Sequence, residues 1–231
     1  MSQETLALAA IWYAAFLLSL TCHEAAHAFA AKLGGDLTAY NAGQVSLNPL
    51  PHVRRSPFGT VVIPAITFFA SGFMMGWASA PYDPRWRERH PRRAAWMALA
   101  GPAANFLLVA IAMLAIRAGI AVRFFAAPER ITFSQMVSAA GPGIAEGAAT
   151  FVSIVFSLNL LLGAFNLIPV PPLDGSTAIG LILSEKGALR FSGWLREPAF
   201  SFAGLIVAWR LFDYVAGPLF RIGLAALYWG F

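Results

Sequence analysis

Residues 23–27 read His-Glu-Ala-Ala-His and lie near the end of an apolar run that begins at Leu6 and continues to Ala31. Two imidazoles four residues apart on a helix project from one face about one turn apart, which is a separation that a single metal ion can bridge. Glu24 lies beside such a metal without being needed as a ligand, so it can take a proton from a metal-bound water. The alternative is a pair of hydrogen-bonded core histidines on a packed helix. Ionisable side chains in an apolar helix of membrane-spanning length are costly and usually functional, which favours the metal site.

The composition around this motif predicts an integral membrane protein. Hydrophobic residues make up 58% of the 231 residues and charged residues only 12%, and the mean hydropathy is +0.66. We expect an all-α polytopic fold of about five to six membrane segments, in a single domain with a core over residues 6–184 and accessory C-terminal helices over 198–231. The net charge of +5 comes mostly from arginines in short loops, so it indicates topology and not a nucleic-acid surface. The single cysteine, Cys22, excludes an internal disulfide and a zinc site built from cysteines alone.

The first half of the chain predicts one span and then a segment that does not cross. Helix one is expected over Leu6–Lys32, and alternation over 40–50 is compatible with a short strand or an extended turn. The arginine-rich stretch 85–93 is most simply a cytoplasmic loop. The motif-bearing end of helix one then also points inward, which leaves residues 58–80 without a net crossing. We therefore expect a re-entrant hairpin or a small membrane-embedded β element there, and a structural or rim role for His52.

The second half predicts two more spans and a proline-rich break. The span over 94–116 contains Asn105, a buried amide that must find a hydrogen-bond partner and whose alternative role is interhelical glue. A short helix is expected near 133–139, and the next span covers 148–168. Beyond the break, the sequence indicates a short helix to about Ser184 and a basic turn with Lys186, Arg190 and Arg196. Apolar stretches over 200–216 and 219–229 then form one or two spans.

Asp174 is the best-placed candidate for a third metal ligand. The prolines 169, 171 and 172 end regular helix and open backbone groups at membrane depth, which is tolerable only in a protein-lined or watered cavity. Two histidines leave a metal short of protein ligands, and catalytic zinc commonly takes a third ligand from elsewhere in the chain, sometimes a carboxylate. The other acids lie near the terminus, in polar connections or beside a basic partner. The alternative is that Asp174 caps a helix beginning at Ser176.

Three motifs in order carry a family resemblance. His-Glu-x-x-His at 23–27, Gly-Pro-x-x-Asn at 101–105 and Asn-x-x-Pro-x-Pro-x-Leu-Asp-Gly at 166–175 together resemble the site-2 protease family of intramembrane zinc metalloproteases. The stretches 45–52 and 58–60 are similar to its compact subgroup without a PDZ domain. The resemblance covers the chain from helix one through Gly175.

The resemblance implies a site and an activity. One zinc ion is held by His23, His27 and Asp174, and Glu24 is the general base. Asn105 is a contact to substrate or to the oxyanion, and Asn166 helps to hold the substrate strand. The implied substrates are transmembrane proteins or peptides, cleaved in a prokaryotic inner membrane with the active site toward the cytoplasm. Two other classes are kept open: a proteolytically inactive zinc-binding membrane protein and a metal transporter.

Overall fold

Helices account for nearly all of the regular structure of this chain. The computed structural model describes residues 2–184, 187 and 198–230. In chain order the elements are α1 (Gln3–Leu33), α2 (Thr38–Asn41), α3 (Pro49–Arg55), a π-helical turn (Phe58–Val62), α4 (Ile63–Ser71), α5 (Pro84–Arg89), α6 (Pro91–Ala121), β1 (Phe125–Ala126), β2 (Ser138–Ala139), α7 (Ile144–Asn166), α8 (Asp174–Ala178), a 3₁₀ turn (Ile179–Leu181) and α9 (Pro198–Tyr228).

Three long helices, α1, α6 and α7, form the core of the molecule and pack against one another. Together with α9 they are the four helices, within the described residues, that are long and apolar enough to cross a membrane. A backbone amide without a hydrogen bond has a high free energy in lipid. Such apolar runs therefore form helices, which satisfy their own hydrogen bonds. The prediction of an all-α polytopic membrane protein is therefore confirmed.

The core contains a buried apolar cluster and a set of buried polar side chains. The apolar cluster includes Trp12 and Phe16 of α1 and Ile116 of α6. The polar set includes Asn105 of α6 and Asn159 of α7, which are completely buried. His23 contacts Asn105 and His27 contacts a carbonyl of α6, so the two histidines face hydrogen-bond partners and not hydrocarbon.

The end of α1 is fixed by side chains from the arginine-rich segment. Gly34 follows the last turn, and its carbonyl oxygen accepts hydrogen bonds from Trp86 Nε1 at 3.0 Å and from Arg93 at 3.1 Å. The ring of Trp86 would meet a Cβ at position 34 at 2.7 Å, so glycine allows this close approach. The predicted end of helix one at Lys32 agrees with the end of α1 to within one residue, and glycine at position 34 is explained by the close approach of the Trp86 ring.

Residues 58–80 are only partly helical. The π-helical turn of five residues and α4 of nine residues together reach about 21 Å, which is shorter than the roughly 30 Å of bilayer hydrocarbon. Gly72 ends α4 in the left-handed conformation, with φ 74°. An extended segment with no regular structure follows and reaches α5. A segment without a net crossing stays a prediction, and the length of this helix supports it.

One local prediction is wrong. The only sheet in the described residues pairs β1 with β2 after α6, so it includes part of the stretch near 133–139 where a helix is expected from the sequence. Two other predictions left alternatives. Residues 40–50 hold the end of α2, a turn and the start of α3, so the turn is found there and the strand is not. The C-terminal apolar stretches form the single helix α9, with Pro218 inside it, which is the alternative of one span. The predicted basic turn with Lys186, Arg190 and Arg196 lies outside the described residues.

Candidate metal centre

Three side chains from two distant parts of the chain meet at one point beside the buried polar side chains of the core. His23 and His27 lie one turn apart on α1, and their Nε2 atoms are 2.9 Å from each other. Asp174 Oδ2 is 3.1 Å from His23 Nε2 and 3.3 Å from His27 Nε2. Both histidines are buried, and Asp174 is mostly buried. This is the only group of three or more metal-ligating side chains found among the described residues.

The other ring nitrogen of each histidine is held by α6. His23 Nδ1 lies 2.7 Å from Asn105 Oδ1, and His27 Nδ1 lies 2.7 Å from the carbonyl oxygen of Met97. A carbonyl oxygen only accepts hydrogen bonds, so both Nδ1 atoms must carry the proton. Each imidazole therefore has its Nε2 lone pair available, and both lone pairs point to the same place.

The convergence of these acceptor atoms fits a zinc ion. Two Nε2 lone pairs and the carboxylate oxygen of Asp174 lie within about 3 Å of one another, and that oxygen is buried without a hydrogen-bond donor. Such a cluster needs a cation between its members, either a proton or a metal ion. With zinc bonds of about 2.0–2.1 Å, tetrahedral ligands are about 3.4 Å apart. The separations found here are close to that value, and three protein ligands leave the open position that a catalytic site requires.

The carboxylate of Asp174 is ionised in this environment. Burial on its own raises the pKa of the carboxyl group, but in the metal-free site the positive charge of a proton held at His27 outweighs burial. The net pKa of Asp174 lies below its usual range. The group is therefore available as an anionic ligand at neutral pH.

Gly101 on α6 makes room for the centre. A Cβ atom at this position would lie 2.6 Å from both Cε1 and Nε2 of His23, and it would also collide with His27 Nε2. No real Cβ atom tolerates such distances, so only glycine lets α6 pass directly behind the two coordinating nitrogens. The Gly-Pro-x-x-Asn motif at 101–105 is visible in the sequence, but nothing in it indicated that Gly101 faces the two histidines.

The loop between α7 and α8 brings Asp174 to the centre. Gly175 packs against the end of α7, where an added Cβ would meet the carbonyl oxygen of Leu167 and lie 2.5 Å from that of Ile168. Leu173 is the N-cap residue of α8, and Asp174 is its first residue. The alternative in which Asp174 caps a helix beginning at Ser176 is therefore wrong. Its side chain instead points at the histidines.

The remaining predicted site residues lie in different surroundings. Glu24 is buried beside the pair on α1, and it makes no hydrogen bond or ion pair to any residue that the structure describes. Asn105 is completely buried and bonded at both ends of its carboxamide. Asn166 is half-buried at the end of α7, and its Nδ2 donates to the Leu162 carbonyl at 3.0 Å. His52 is buried away from the centre and lies 3.0 Å from the Ser46 carbonyl through Nε2, which gives it a structural role.

Sequence reasoning missed the residues behind the ligands. Asn159 bonds Asn105, and Ser19 bonds Asn159, yet neither was singled out. A signal existed for Asn159, because a carboxamide inside an apolar helix must find a partner. No sequence signal indicates the Met97 carbonyl, because any residue at position 97 supplies a backbone carbonyl oxygen.

Comparisons with known proteins give one family match and two similar relatives. The family model described as peptidase family M50 matches residues 11–192. The putative zinc metalloprotease YwhC of Bacillus subtilis (strain 168) is 34% identical over 160 residues, which cover 69% of this chain and 63% of the relative. The putative zinc metalloprotease Rip2 of Mycolicibacterium smegmatis (strain ATCC 700084 / mc(2)155) is 30% identical over 166 residues, which cover 72% of this chain and 54% of the relative. The matched region thus spans less than two thirds of either relative. No solved structure matches the chain.

Proposed function

The chain belongs to peptidase family M50, the site-2 protease family, and from this premise we propose that it hydrolyses peptide bonds in or near transmembrane segments of other membrane proteins. The observation that carries the proposal is the convergence of His23, His27 and Asp174 inside a bundle of membrane-spanning helices. A site at that depth is reached by a chain that is itself in the membrane, which is why the proposed substrates are transmembrane proteins or peptides.

We propose that the three converging side chains hold one zinc ion and that Glu24 is the general base. Bound zinc supplies Lewis-acid chemistry, because it lowers the pKa of a bound water toward 7 and polarises a carbonyl group. Glu24 lies on the same turn as the histidines, and its carboxylate has no hydrogen bond or ion pair to a described residue. It is therefore free to accept a proton from the attacking water and to return it to the leaving amide nitrogen.

Asn105 and Asn166 are the proposed contacts to the substrate. One N–H of the Asn105 carboxamide is bonded to Asn159, so its second N–H is the donor left for a developing oxyanion. Such a donor typically contributes about 3 kcal/mol to the transition state. Asn166 has a carboxamide oxygen that makes no hydrogen bond within the described residues, and the backbone of an extended substrate is the kind of partner it fits.

We propose that the active site faces the cytoplasm of a prokaryotic cell. The motif-bearing end of α1 is followed by Gly34, which is bonded to Trp86 and Arg93, and both of these lie in the arginine-rich segment 85–93. Short arginine-rich segments favour the cytoplasmic side of a membrane. The relatives from Bacillus subtilis and Mycolicibacterium smegmatis support a prokaryotic inner membrane.

Replacing Glu24 with Gln tests the proposed function. The full-length protein, purified in detergent, is incubated with a set of single-span substrates, and its zinc content is measured in parallel. We expect Glu24→Gln to lower cleavage by at least about 100-fold, because general-base catalysis contributes on that scale. Zinc content should stay at one ion per chain, since the three ligands are intact. Glu146→Gln, which changes an exposed glutamate at the start of α7, is the matched control.

The possible results separate the three candidate functions. A zinc-binding membrane protein without proteolytic activity would keep its zinc in both variants, and the unmodified chain would cleave nothing. A transporter would move zinc across vesicle membranes at the same rate with Glu24→Gln as without it. Either result would refute the proposal.

A further inference from the structure

Four buried polar side chains form a hydrogen-bonded row that ends at the candidate metal centre. Ser19 of α1, Asn159 of α7 and Asn105 of α6 are all completely buried, and His23 is the last member. The contacts along the row are 2.8 Å from Asn159 to Ser19, 2.7 Å from Asn105 to Asn159 and 2.7 Å between His23 and Asn105. This set of four residues is called the amide row below.

The direction of every hydrogen bond in the amide row follows from one backbone carbonyl. Asn159 Nδ2 lies 2.8 Å from the carbonyl oxygen of Val155, which only accepts, so this end of the amide must be its N–H end. The oxygen end of Asn159 then faces Asn105, which must present its own N–H end to it. That orientation leaves Asn105 Oδ1 facing His23, so His23 Nδ1 is the donor.

Ser19 of α1 favours the same hydrogen-bond direction. Its hydroxyl donates to the Ala15 carbonyl at 2.7 Å, so the oxygen of Ser19 is left to accept from the second N–H of Asn159. Both N–H groups of Asn159 are thus bound to acceptors. Turning this amide over would place its oxygen against two acceptors among completely buried side chains, which is costly.

We propose that Asn159 is a positioning residue that sets the tautomer and ring orientation of His23 through Asn105. The inference rests on the proposed zinc site, because the effect of Asn159 is to present His23 Nε2 to the metal. His27 needs no such device, because its Nδ1 is bonded directly to the Met97 carbonyl, which has a fixed direction. A carboxamide can turn over, so the His23 side requires a further residue to hold it.

Two substitutions of Asn159 break the row, and one keeps its direction. Asn159→Leu is similar in size but has no acceptor for Asn105, and Asn159→Ser is too short to reach it. Asn159→Asp, in its protonated form, donates to the Val155 carbonyl and accepts from Asn105, so it should rescue. Ser157→Ala is the matched control, because Ser157 is buried on the same helix and its hydroxyl has no hydrogen-bond partner among the described residues.

Zinc affinity of the full-length protein, measured by competition with a chelator, is the first readout. We expect Asn159→Leu and Asn159→Ser to weaken zinc binding about 10- to 100-fold, as the loss of a partner behind a ligand does elsewhere. Asn159→Asp and Ser157→Ala should stay within about three-fold of the unmodified chain. Unchanged affinity in the first two variants would overturn the proposal, and so would an Asp variant as weak as the Leu variant. If the Leu variant does not fold, the Ser variant decides.

The tautomer itself is the second readout, and it needs neither metal nor cleavage. The chain has four histidines, so ¹⁵N-labelled histidine signals of the metal-free protein can be assigned by single substitutions. His23 should show a bonded Nδ1–H in the unmodified chain and in Asn159→Asp, and a mixture of tautomers in Asn159→Leu. If the unmodified chain neither binds zinc nor cleaves, the proposed function fails, but this measurement still decides the inference. If it binds and cleaves while the His23 tautomer never changes, only the inference fails.

Discussion

The two regions that supply the proposed metal ligands are built in different ways. One is the turn of α1 that carries His23 and His27, and both rings are held from behind by α6. The other is the loop over residues 167–174, called the ligand loop, which brings Asp174 from the far half of the chain. The Asp174 side chain is 22% exposed, whereas those of the histidines are about 10% exposed. The histidines are thus placed by local helix geometry, and the aspartate is placed by packing.

Because of this difference, the two sides of the site should be sensitive to different substitutions. On the α1 side, the spacing of four residues sets the distance between the rings, and the partners behind them set which nitrogen is exposed. On the loop side, the position depends on backbone contacts at Gly175 and at Gly204 of α9, where a Cβ would collide with the Pro171 carbonyl. Substitutions behind the α1 pair should therefore disturb stability and zinc binding, and those behind the ligand loop should mainly disturb zinc binding.

The largest effect is expected when a ligand is removed from each side. Asp174→Ala and His27→Ala should each weaken zinc binding by more than about 100-fold, because two protein ligands remain. They should differ in the metal-free protein. His27→Ala removes the hydrogen bond between a buried imidazole and the Met97 carbonyl and should lower the free energy of unfolding by about 1 kcal/mol. The Asp174 side chain is more exposed than the imidazoles, so Asp174→Ala should cost less.

Chelator titration and thermal unfolding of the metal-free protein measure these two quantities. Asp213→Ala, at an exposed position of α9, is the control and should change neither. Equal loss of metal-free stability in the two ligand variants would remove the distinction between the α1 side and the ligand loop.

A smaller effect is expected from filling the space behind the α1 pair. Gly101→Ala places a methyl group against both coordinating rings, so it should weaken zinc binding by at least about 10-fold and destabilise the protein by about 1–3 kcal/mol. Gly147→Ala is the matched control, because a Cβ in this α7 position meets only Ile11 at 3.9 Å. Zinc titration of both variants checks the prediction, and full zinc affinity in Gly101→Ala would contradict the geometry described here.

The smallest effect is expected at the contact between α9 and the ligand loop. Gly204→Ala should push Pro171 away and weaken zinc binding by about five-fold, which corresponds to about 1 kcal/mol. The turn of α1 that carries the two histidines should stay unchanged, so the ¹⁵N signals of His23 and His27 in the metal-free protein should not move. Gly217→Ala, with open space around its Cβ on the same helix, should have no effect on zinc. Movement of the histidine signals would mean that the two sides are not independent.

Local patterns predicted the helices better than they predicted the connections. The expected spans over 6–32, 94–116 and 148–168 correspond to α1, α6 and α7, because long apolar runs in a membrane have one way to satisfy their backbone. The stretch near 133–139 was expected to be helical, yet Met136 and Val137 are buried and their amides lie near Ser153 Oγ of α7. That contact comes from packing between distant segments, which local propensity does not register.

The sequence by itself determined the two histidines and the glutamate on which the proposed chemistry depends. A His-Glu-x-x-His turn in a helix of membrane-spanning length fixes two nitrogen ligands on one face and a carboxylate beside them, whatever the rest of the chain does. Only the tertiary structure decided how the site is completed: that Asp174 reaches the histidines, that Gly101 leaves room beside them, and that Asn159 orients the amide behind His23. The physical reason is that helix geometry is local, whereas a third ligand and the direction of a buried hydrogen bond depend on which segments pack together.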